Sequence, residues 1–248
     1  MGKVIVVASG KGGTGKTATV GAVASCLAAL GYKTLCIDFD VGLRNLDICL
    51  GLTEYSVADF HDVLSGTLSP ELAVTQHPAI ENLYFLSAPP FLRPEDIDEA
   101  AAAGLIGRLK EDYDYVLIDA PAGIGPGFRQ AARAADMALV VVISDLASIR
   151  DGQRAMQQLK ELGVEEIRLV VNRVRPKDLR RLQTTIDDAI DNVGARLIGL
   201  VPEDENVYLS ANRQIPLVLY EQNKAARYFL DIARRIAGED VPIRTRRL

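Results

Sequence analysis

The chain has 248 residues, of which 48% are hydrophobic and 25% charged, and its net charge is −5 at pH 7. These values are typical of a globular protein with a sizeable core, and the negative charge argues against a globally basic nucleic-acid binder. No apolar run of about 18 residues and no secretion signal is present, so we expect neither a membrane span nor export. The three cysteines lack metal-ligand spacing and are expected to be buried, reduced thiols.

The first predicted element is the apolar run 4–8, which favours a buried strand. It is followed by Gly10-x4-Gly15-Lys16-Thr17, the spacing of a phosphate-binding Walker A loop. Residues 18–30 are rich in alanine and carry apolar side chains at helical spacing. A chance match to this loop is expected in about one chain in a hundred of this length. Its position between a predicted strand and a predicted helix therefore favours phosphate binding.

The residue types of this loop suit a nucleotide. Glycines let successive backbone N–H groups turn inward, and the helix N-terminus adds a partial positive charge. We expect Lys16 to reach the β- and γ-phosphates and the Thr17 hydroxyl to bind Mg²⁺. The predicted nucleotide-binding residues of the loop are Gly10, Lys11, Gly12, Gly13, Thr14, Gly15, Lys16, Thr17 and Ala18.

Carboxylates follow two later predicted strands. The second strand ends in Asp38 and Asp40, and the strand 115–119 ends in Asp119. Ligands of open α/β sheets bind at the carboxyl ends of the strands, so these side chains are expected beside the phosphate loop. We predict that Thr17, Asp38 and Asp119 form the Mg²⁺ site, with Asp119 in the Walker B position. For one carboxylate of the first pair, capping of a loop or helix stays open as an alternative.

The remaining elements alternate between short β-branched runs and helical segments. This alternation predicts an α/β fold with a doubly wound, mostly parallel sheet and helices on both faces. We expect one domain over 1–238 and a short C-terminal tail over 239–248. His61 and His77 stand apart from other metal ligands and are expected to be structural or surface residues. Strands are predicted at 33–39, 82–86, 115–119, 137–143, 167–171 and 197–201, helices at 96–113, 145–162 and 223–237, and mixed helical and loop segments at 53–78.

A second lysine narrows the interpretation of the loop. The segment KGGTGKT (11–17) resembles the deviant Walker A loop of the MinD/ParA ATPases, and IDFDVGLRNLD (37–47) is similar to the first switch of the MinD branch. The resemblance implies ATP and Mg²⁺ as cofactors and a homodimer that sandwiches the nucleotide. Lys11 would then contact the phosphates of the partner subunit, and Asp40 would orient the attacking water. Lys11, Lys16 and Asp40 are accordingly the predicted catalytic residues.

The same resemblance implies further nucleotide contacts. DAPAGI (119–124) is similar to the second switch of the family, where the Gly123 N–H would sense the γ-phosphate. Asn172 would recognise the adenine edge, and Pro202 and Glu203 would belong to the adenine-side loop. These roles are implied by the family and not by the local sequence alone.

The implied function is an ATPase that transfers phosphate from ATP to water and acts as a spatial regulator of cell division. Its expected partners are a second copy of the chain and a protein of the cell-division inhibitor or activator type. Ser148 and Asp151 match the partner-binding positions of the family, although helix capping would also explain them. Two other functions stay open. One is a ParA- or FlhG-like positioning ATPase that binds DNA or cargo, and the other is a nucleotide switch with negligible hydrolysis.

Two basic features bear on membrane or DNA contact. A cluster between 173 and 181 is expected to be either a solvated helix face or a site for anionic lipid or DNA. MinD proteins typically end in an amphipathic membrane helix, whereas Pro242 here leaves too few residues for a stable helix. We therefore expect weak, salt-sensitive membrane association and a cytoplasmic protein that is at most peripheral at the inner face of the membrane. The cluster comprises Arg173, Arg175, Lys177, Arg180 and Arg181.

Overall fold

The computed structural model describes residues 2–175, 185–221 and 223–244, which contain eight strands, ten α-helices and two short 3-10 turns. The strands are β1 (Lys3–Ala8), β2 (Thr34–Asp38), β3 (Thr75–Gln76), β4 (Leu83–Leu86), β5 (Tyr115–Asp119), β6 (Met137–Val142), β7 (Glu166–Val174) and β8 (Arg196–Pro202). The helices are α1 (Lys16–Ala29), α2 (Leu46–Leu50), α3 (Phe60–Leu64), α4 (Pro70–Ala73), α5 (Glu99–Leu109), α6 (Pro126–Ala132), α7 (Leu146–Glu161), α8 (Ile186–Val193), α9 (Glu205–Asn212) and α10 (Ala226–Ile236). The 3-10 turns span Pro94–Asp96 and Leu217–Leu219.

The described strands form one sheet in the order β3-β4-β2-β5-β1-β6-β7-β8. Every neighbouring pair is parallel except β3 and β4. The chain moves from β1 to β2 on one side and later crosses from β5 to β6 on the other, so the strand order reverses at β1. In such sheets ligands bind where the order reverses, at the carboxyl ends of the strands. The loop that follows β1 lies at that point.

Alternating side chains of β1 supply both layers of the core. Val4 and Val6 face α5, α6, α7 and α8, whereas Ile5 and Val7 face α1, α2 and α10. All four residues are fully buried, which explains why the strand is apolar throughout instead of alternating with polar residues. The predicted doubly wound α/β fold is confirmed.

The structure differs from the predicted elements mainly between residues 53 and 113. The two-residue strand β3 pairs antiparallel with β4 at one edge of the sheet, in a segment expected to be helix and loop. Helix α5 begins only at Glu99, because Asp98 is its N-cap and accepts a hydrogen bond from the Ala101 N–H at 2.6 Å. The three residues from Pro94 to Asp96 form a separate 3-10 turn.

Residues 239–244 pack against the domain and do not project from it. The Arg235 guanidinium of α10 donates to the Val241 carbonyl at 2.7 Å, the Pro242 carbonyl and the Ile198 carbonyl of β8 at 2.7 Å. The Ile243 side chain packs against the core. Arg244 pairs with Asp231, a carboxylate that is almost fully buried. This segment therefore lies along the outer edge of the sheet at β8.

Within residues 2–175, 185–221 and 223–244, no helix is both long and apolar enough to cross a bilayer. Of the predicted basic cluster, Lys177, Arg180 and Arg181 lie outside the described residues. Arg173 lies on β7 and Arg175 directly after it, so neither belongs to the helix face proposed for them.

Candidate functional site

The phosphate loop connects the end of β1 to the start of α1 and packs directly on two neighbouring segments. A side chain at Gly10 would place its Cβ 2.1 Å from the Asp151 carbonyl oxygen of α7, so only glycine allows this approach. Gly15 has φ +89°, and a Cβ there would lie 2.3 Å from the Asn172 amide nitrogen. Both positions therefore require glycine because neighbouring atoms leave no room for a Cβ, and not only because the loop needs conformational freedom.

Lys16 and Thr17 form the first turn of α1. Lys16 is only 8% exposed at the start of a helix that is buried along most of its length. Gly12 and Gly13 lie at the exposed tip of the loop, and Thr14 is buried. The buried Thr14 hydroxyl has no hydrogen-bond partner among the described residues. Together with Ala18, these residues form the continuous stretch that the sequence predicted as the nucleotide-binding loop.

Two buried carboxylates lie side by side on neighbouring strands, next to this loop. Asp38 of β2 and Asp119 of β5 are register partners, and their exposed fractions are 0% and 1%. Burial raises the pKa of Asp38 to about 6 and that of Asp119 to about 8. The charge of Asp38 further raises the pKa of Asp119, whereas the charges of Asp40 and Asp47 further raise that of Asp38. The Thr17 hydroxyl and the Lys16 ammonium act in the opposite direction on the pKa of Asp119.

Asp38 has taken the capping role that the sequence left open. Its Oδ1 accepts a hydrogen bond from the Asp40 N–H at 2.8 Å, and its Oδ2 accepts one from the Leu46 N–H at 3.1 Å. The carboxylate thereby holds both ends of the loop 39–45, which includes most of the predicted first switch. By contrast, Oδ1 of Asp119 is buried and accepts no hydrogen bond from the described residues.

This donor set fits Mg²⁺ bound together with a nucleotide. No group of three or more His, Cys, Asp or Glu side chains arranged for a metal occurs in the described part of the chain. Mg²⁺ in nucleotide sites characteristically uses one or two protein oxygens, phosphate oxygens and waters. Oδ1 of Asp119 has no partner among the described residues, and the Asp119 carboxylate interacts with the Thr17 hydroxyl and is repelled by the charge of Asp38, an arrangement that suits such a cation.

Asp40 and Lys11 interact with different charged groups. Asp40 is half-buried; burial raises its pKa, and the charge of the Lys16 ammonium partly offsets this rise. The Lys11 ammonium extends to Asp145, the N-cap residue of α7, at 3.1 Å from each carboxylate oxygen. Lys11 is thus paired within its own subunit in this conformation.

Gly123 follows β5 with φ +87°, and its N–H donates to the Ser9 carbonyl at 3.2 Å. This N–H is therefore occupied, and a contact with the γ-phosphate requires the second switch to move.

Ser148 and Asp151, the two predicted partner-binding positions, lie in different environments. The Ser148 hydroxyl is buried and accepts from the Ile143 N–H at 3.0 Å, which is a structural role, whereas Asp151 pairs with Arg154 of its own helix at 3.5 Å.

The predicted base-side residues lie at the ends of β7 and β8. The Asn172 amide donates to the Thr14 carbonyl at 2.9 Å, and Glu203 follows Pro202 and pairs with Arg173. The adenine-side loop implied by the resemblance continues to Asp204, whose carboxylate accepts from three backbone N–H groups and joins this loop to the segment before α10. These contacts of Asp204 were not predicted from the sequence. Its position as the N-cap of α9 was the available signal. A cavity of about 470 Å³ lies against this loop, lined by residues 202–206 together with Lys224, Arg227 and Tyr228.

The chain is similar to known nucleotide-binding proteins over most of its length. The sequence profile of the CobQ/CobB/MinD/ParA nucleotide binding domain matches residues 5–217. The septum site-determining protein MinD of Thermotoga maritima is 38% identical, with 98% of this chain and 91% of that protein covered.

Two solved structures show the same fold. The MinC:MinD cell division protein complex of Aquifex aeolicus contains a chain that is 37% identical, with a TM-score of 0.90 and 98% of both chains covered. The MinD of Pyrococcus horikoshii, complexed with Mg-ADP, is 29% identical with a TM-score of 0.84, and the match covers 95% of this chain and 96% of that one. The chain therefore belongs to the CobQ/CobB/MinD/ParA family of nucleotide-binding proteins and is a MinD-like P-loop ATPase.

Proposed function

We propose that the chain hydrolyses Mg-ATP, dimerises around the nucleotide and takes part in the placement of the division site. The observation that carries this proposal is the grouping of Lys16, Thr17 and the buried pair Asp38 and Asp119 at the strand-order reversal. It is supported by the full-length similarity to MinD proteins.

In this proposal the chain contributes positioning and charge. The backbone N–H groups of residues 10–18 and the Lys16 ammonium bind the phosphates, and Thr17 and Asp119 hold Mg²⁺, with Asp38 acting through its charge. The metal ion, when bound, would neutralise charge on the phosphates. Asp40 orients the attacking water, the role that the similarity of residues 37–47 to the first switch of the MinD branch implies. The chain offers no nucleophilic side chain at the loop, which agrees with direct transfer to water.

The proposed homodimer depends on a contact made by Lys11. Its side chain is one-third exposed, and among the described residues its ammonium pairs with one carboxylate, that of Asp145. A second subunit facing the loop would present phosphate oxygens as a stronger partner. We therefore propose that ATP exchanges the Lys11–Asp145 pair for a contact between subunits.

A division-inhibitor protein is the proposed further partner, because the Aquifex aeolicus MinD relative was solved in complex with MinC. DNA binding is less favoured, since two arginines of the basic cluster, Arg173 and Arg175, both pair with Glu203. This pairing neutralises part of the charge that DNA would require.

Light scattering with and without Mg-ATP, combined with phosphate release, tests the enzyme and dimer proposals. We expect slow hydrolysis and a molecular mass that doubles with ATP. In Asp40→Ala, which should hydrolyse ATP poorly, we expect a larger fraction of dimer. A chain that binds and hydrolyses ATP but stays monomeric at all concentrations would refute the dimer. Salt-dependent binding to arbitrary duplex DNA, with no retention of a MinC-type protein, would favour the positioning ATPase instead.

A further inference from the structure

The end of β7 departs from regular pairing with β8 at the residues that touch the phosphate loop. Val171 pairs with Leu200, and Val174 pairs with Pro202, so two residues of β7 lie opposite one residue of β8. This extra residue makes a β-bulge, a feature that redirects side chains. The second of the two residues, Arg173, has φ +54°, in the left-handed region that non-glycine residues adopt only at a cost.

The bulge lets two consecutive side chains reach the same loop. In a regular strand, neighbouring side chains point to opposite faces of the sheet. Here the Asn172 amide donates to the Thr14 carbonyl at 2.9 Å, and Nη1 of Arg173 donates to the Gly13 carbonyl at 3.0 Å. The two acceptors are consecutive peptide groups of the phosphate loop.

Holding these carbonyls fixes the direction of the loop amides. A peptide group is planar and trans, so the C=O of one residue and the N–H of the next point in opposite directions. The Gly13 and Thr14 carbonyls point at Arg173 and Asn172, and the N–H groups of Thr14 and Gly15 therefore point away from them. That is the orientation an amide needs to donate to a phosphate held inside the loop.

Arg173 is itself held by the base-side loop. Its Nε and Nη2 donate to the two carboxylate oxygens of Glu203 at 2.8 and 3.1 Å, a bidentate pair with fixed geometry. Nη1 of the same guanidinium remains directed at Gly13. A planar guanidinium can make these contacts at once, whereas a lysine ammonium cannot reproduce the fork.

We propose that Arg173 is a positioning residue for nucleotide binding, which couples the Glu203 loop to the phosphate loop and aims the loop amides at the phosphates. The inference rests on the proposed nucleotide site and adds a residue that acts through the Gly13 carbonyl without touching the nucleotide. It also assigns a role to the bulge and to the left-handed conformation of Arg173.

The informative variant is Arg173→Gly. Glycine accepts φ +54° without strain, so the variant removes the guanidinium without disfavouring the bulge. We expect an unchanged or higher thermal unfolding temperature without nucleotide, and a dissociation constant for Mg-ADP raised about tenfold, the loss of one hydrogen bond to a charged group. Arg173→Lys should weaken binding to a similar extent, because the fork is lost.

Arg175→Ala is the matched control, because Arg175 donates to the same Glu203 carboxylate at 3.3 Å. We expect its dissociation constant for Mg-ADP to stay within about twofold of the unmodified chain, as for an exposed ion pair. Calorimetry on the full chain gives all four values. The role of Arg173 would be overturned if Arg173→Gly bound Mg-ADP as tightly as the unmodified chain, or if Arg175→Ala lost as much affinity for Mg-ADP as Arg173→Gly. Failure of the unmodified chain to bind Mg-ADP would instead refute the nucleotide site itself.

Discussion

The Lys11 ammonium lies 3.1 Å from each carboxylate oxygen of Asp145, the residue that caps α7. Both side chains are about one-third exposed, at 33% and 39%. Exposed ion pairs stabilise a fold by about 0–1 kcal/mol, so this contact is weak enough to be replaced by a multiply charged phosphate. Asp145 thus competes, within the subunit, for the lysine that is proposed to join two subunits.

Asp145→Asn should therefore promote dimerisation. Asparagine is as good an N-cap as aspartate, so α7 keeps its cap from residue 145 to the Ser148 N–H. Loss of the carboxylate charge frees Lys11. We expect the concentration for half-maximal dimer formation in Mg-ATP to fall by up to about fivefold, the equivalent of about 1 kcal/mol. Light scattering over a dilution series measures this value.

Asp151→Asn is the control for this change, because it removes the same charge six residues later, on α7, from a residue that pairs with Arg154. It should leave the dimerisation concentration unchanged. If Asp145→Asn dimerises no more readily than the unmodified chain, or if both variants shift equally, Asp145 does not compete for Lys11.

Lys16→Ala should abolish tight nucleotide binding. The loop would keep its amides but lose a buried ammonium at the start of α1, and a hydrogen bond to a charged group is worth about 1.5–3 kcal/mol. We expect the dissociation constant for Mg-ATP in calorimetry to rise at least about tenfold. Lys11→Ala is the matched control, because it should bind Mg-ATP but fail to dimerise. An unchanged affinity of Lys16→Ala for Mg-ATP would contradict the assignment of residues 10–18 as the phosphate-binding loop.

His77 should make the fold sensitive to mild acid. Its Nδ1 accepts from the N–H groups of Ala79 and Ile80 at 3.0 Å, so the proton is on Nε2, which donates to the Leu50 carbonyl at 2.9 Å. Burial lowers the pKa of His77. The unfolded chain therefore binds this proton at a higher pH than the folded chain. The resulting stability is complete above about pH 6.5 and is lost as the pH falls from there to the lowered folded value.

The test compares unfolding free energies at about pH 7.5 and about pH 5.5. His77→Gln should be less destabilised by the change in pH than the unmodified chain, because the titrating group is gone. The other histidine, the exposed His61, provides the control, and His61→Gln should retain the full pH dependence. An identical dependence in His77→Gln and the unmodified chain would contradict the prediction.

The sheet and the phosphate loop were predictable from sequence because their signals are local. The run 4–8, the loop spacing and the strand 115–119 each occupy a few consecutive residues, and β5 begins and ends as predicted. The short strand β3 carries no such signal, since two residues have no periodicity. The first switch was recognised by its resemblance to a family, and the capping role of Asp38 was only one of two alternatives.

The contacts that connect the site to the rest of the fold were not predictable in this way. Lys11 and Asp145 are 134 residues apart, and Arg173 and Gly13 are 160 apart. Each residue alone resembles an ordinary surface charge, and only the strand order brings the partners together. The bulge at Asn172 is likewise a property of pairing with β8 and leaves no pattern in the sequence of β7.

Arg235 should control how firmly residues 241–244 are held on the sheet edge. Its guanidinium donates to three carbonyls, two of the tail and one of β8. In Arg235→Ala, hydrogen exchange of the Ile243 and Arg244 amides should become about tenfold faster, because these hydrogen bonds close the segment on the domain. The measurement is hydrogen exchange with mass spectrometry on the C-terminal peptide. Arg234→Ala is the control, since the side chain of the neighbouring Arg234 forms an exposed ion pair with Glu239, outside residues 241–244, and its loss should change the exchange little. Equal acceleration in both variants would mean that general charge, and not the Arg235 contacts, holds the segment in place.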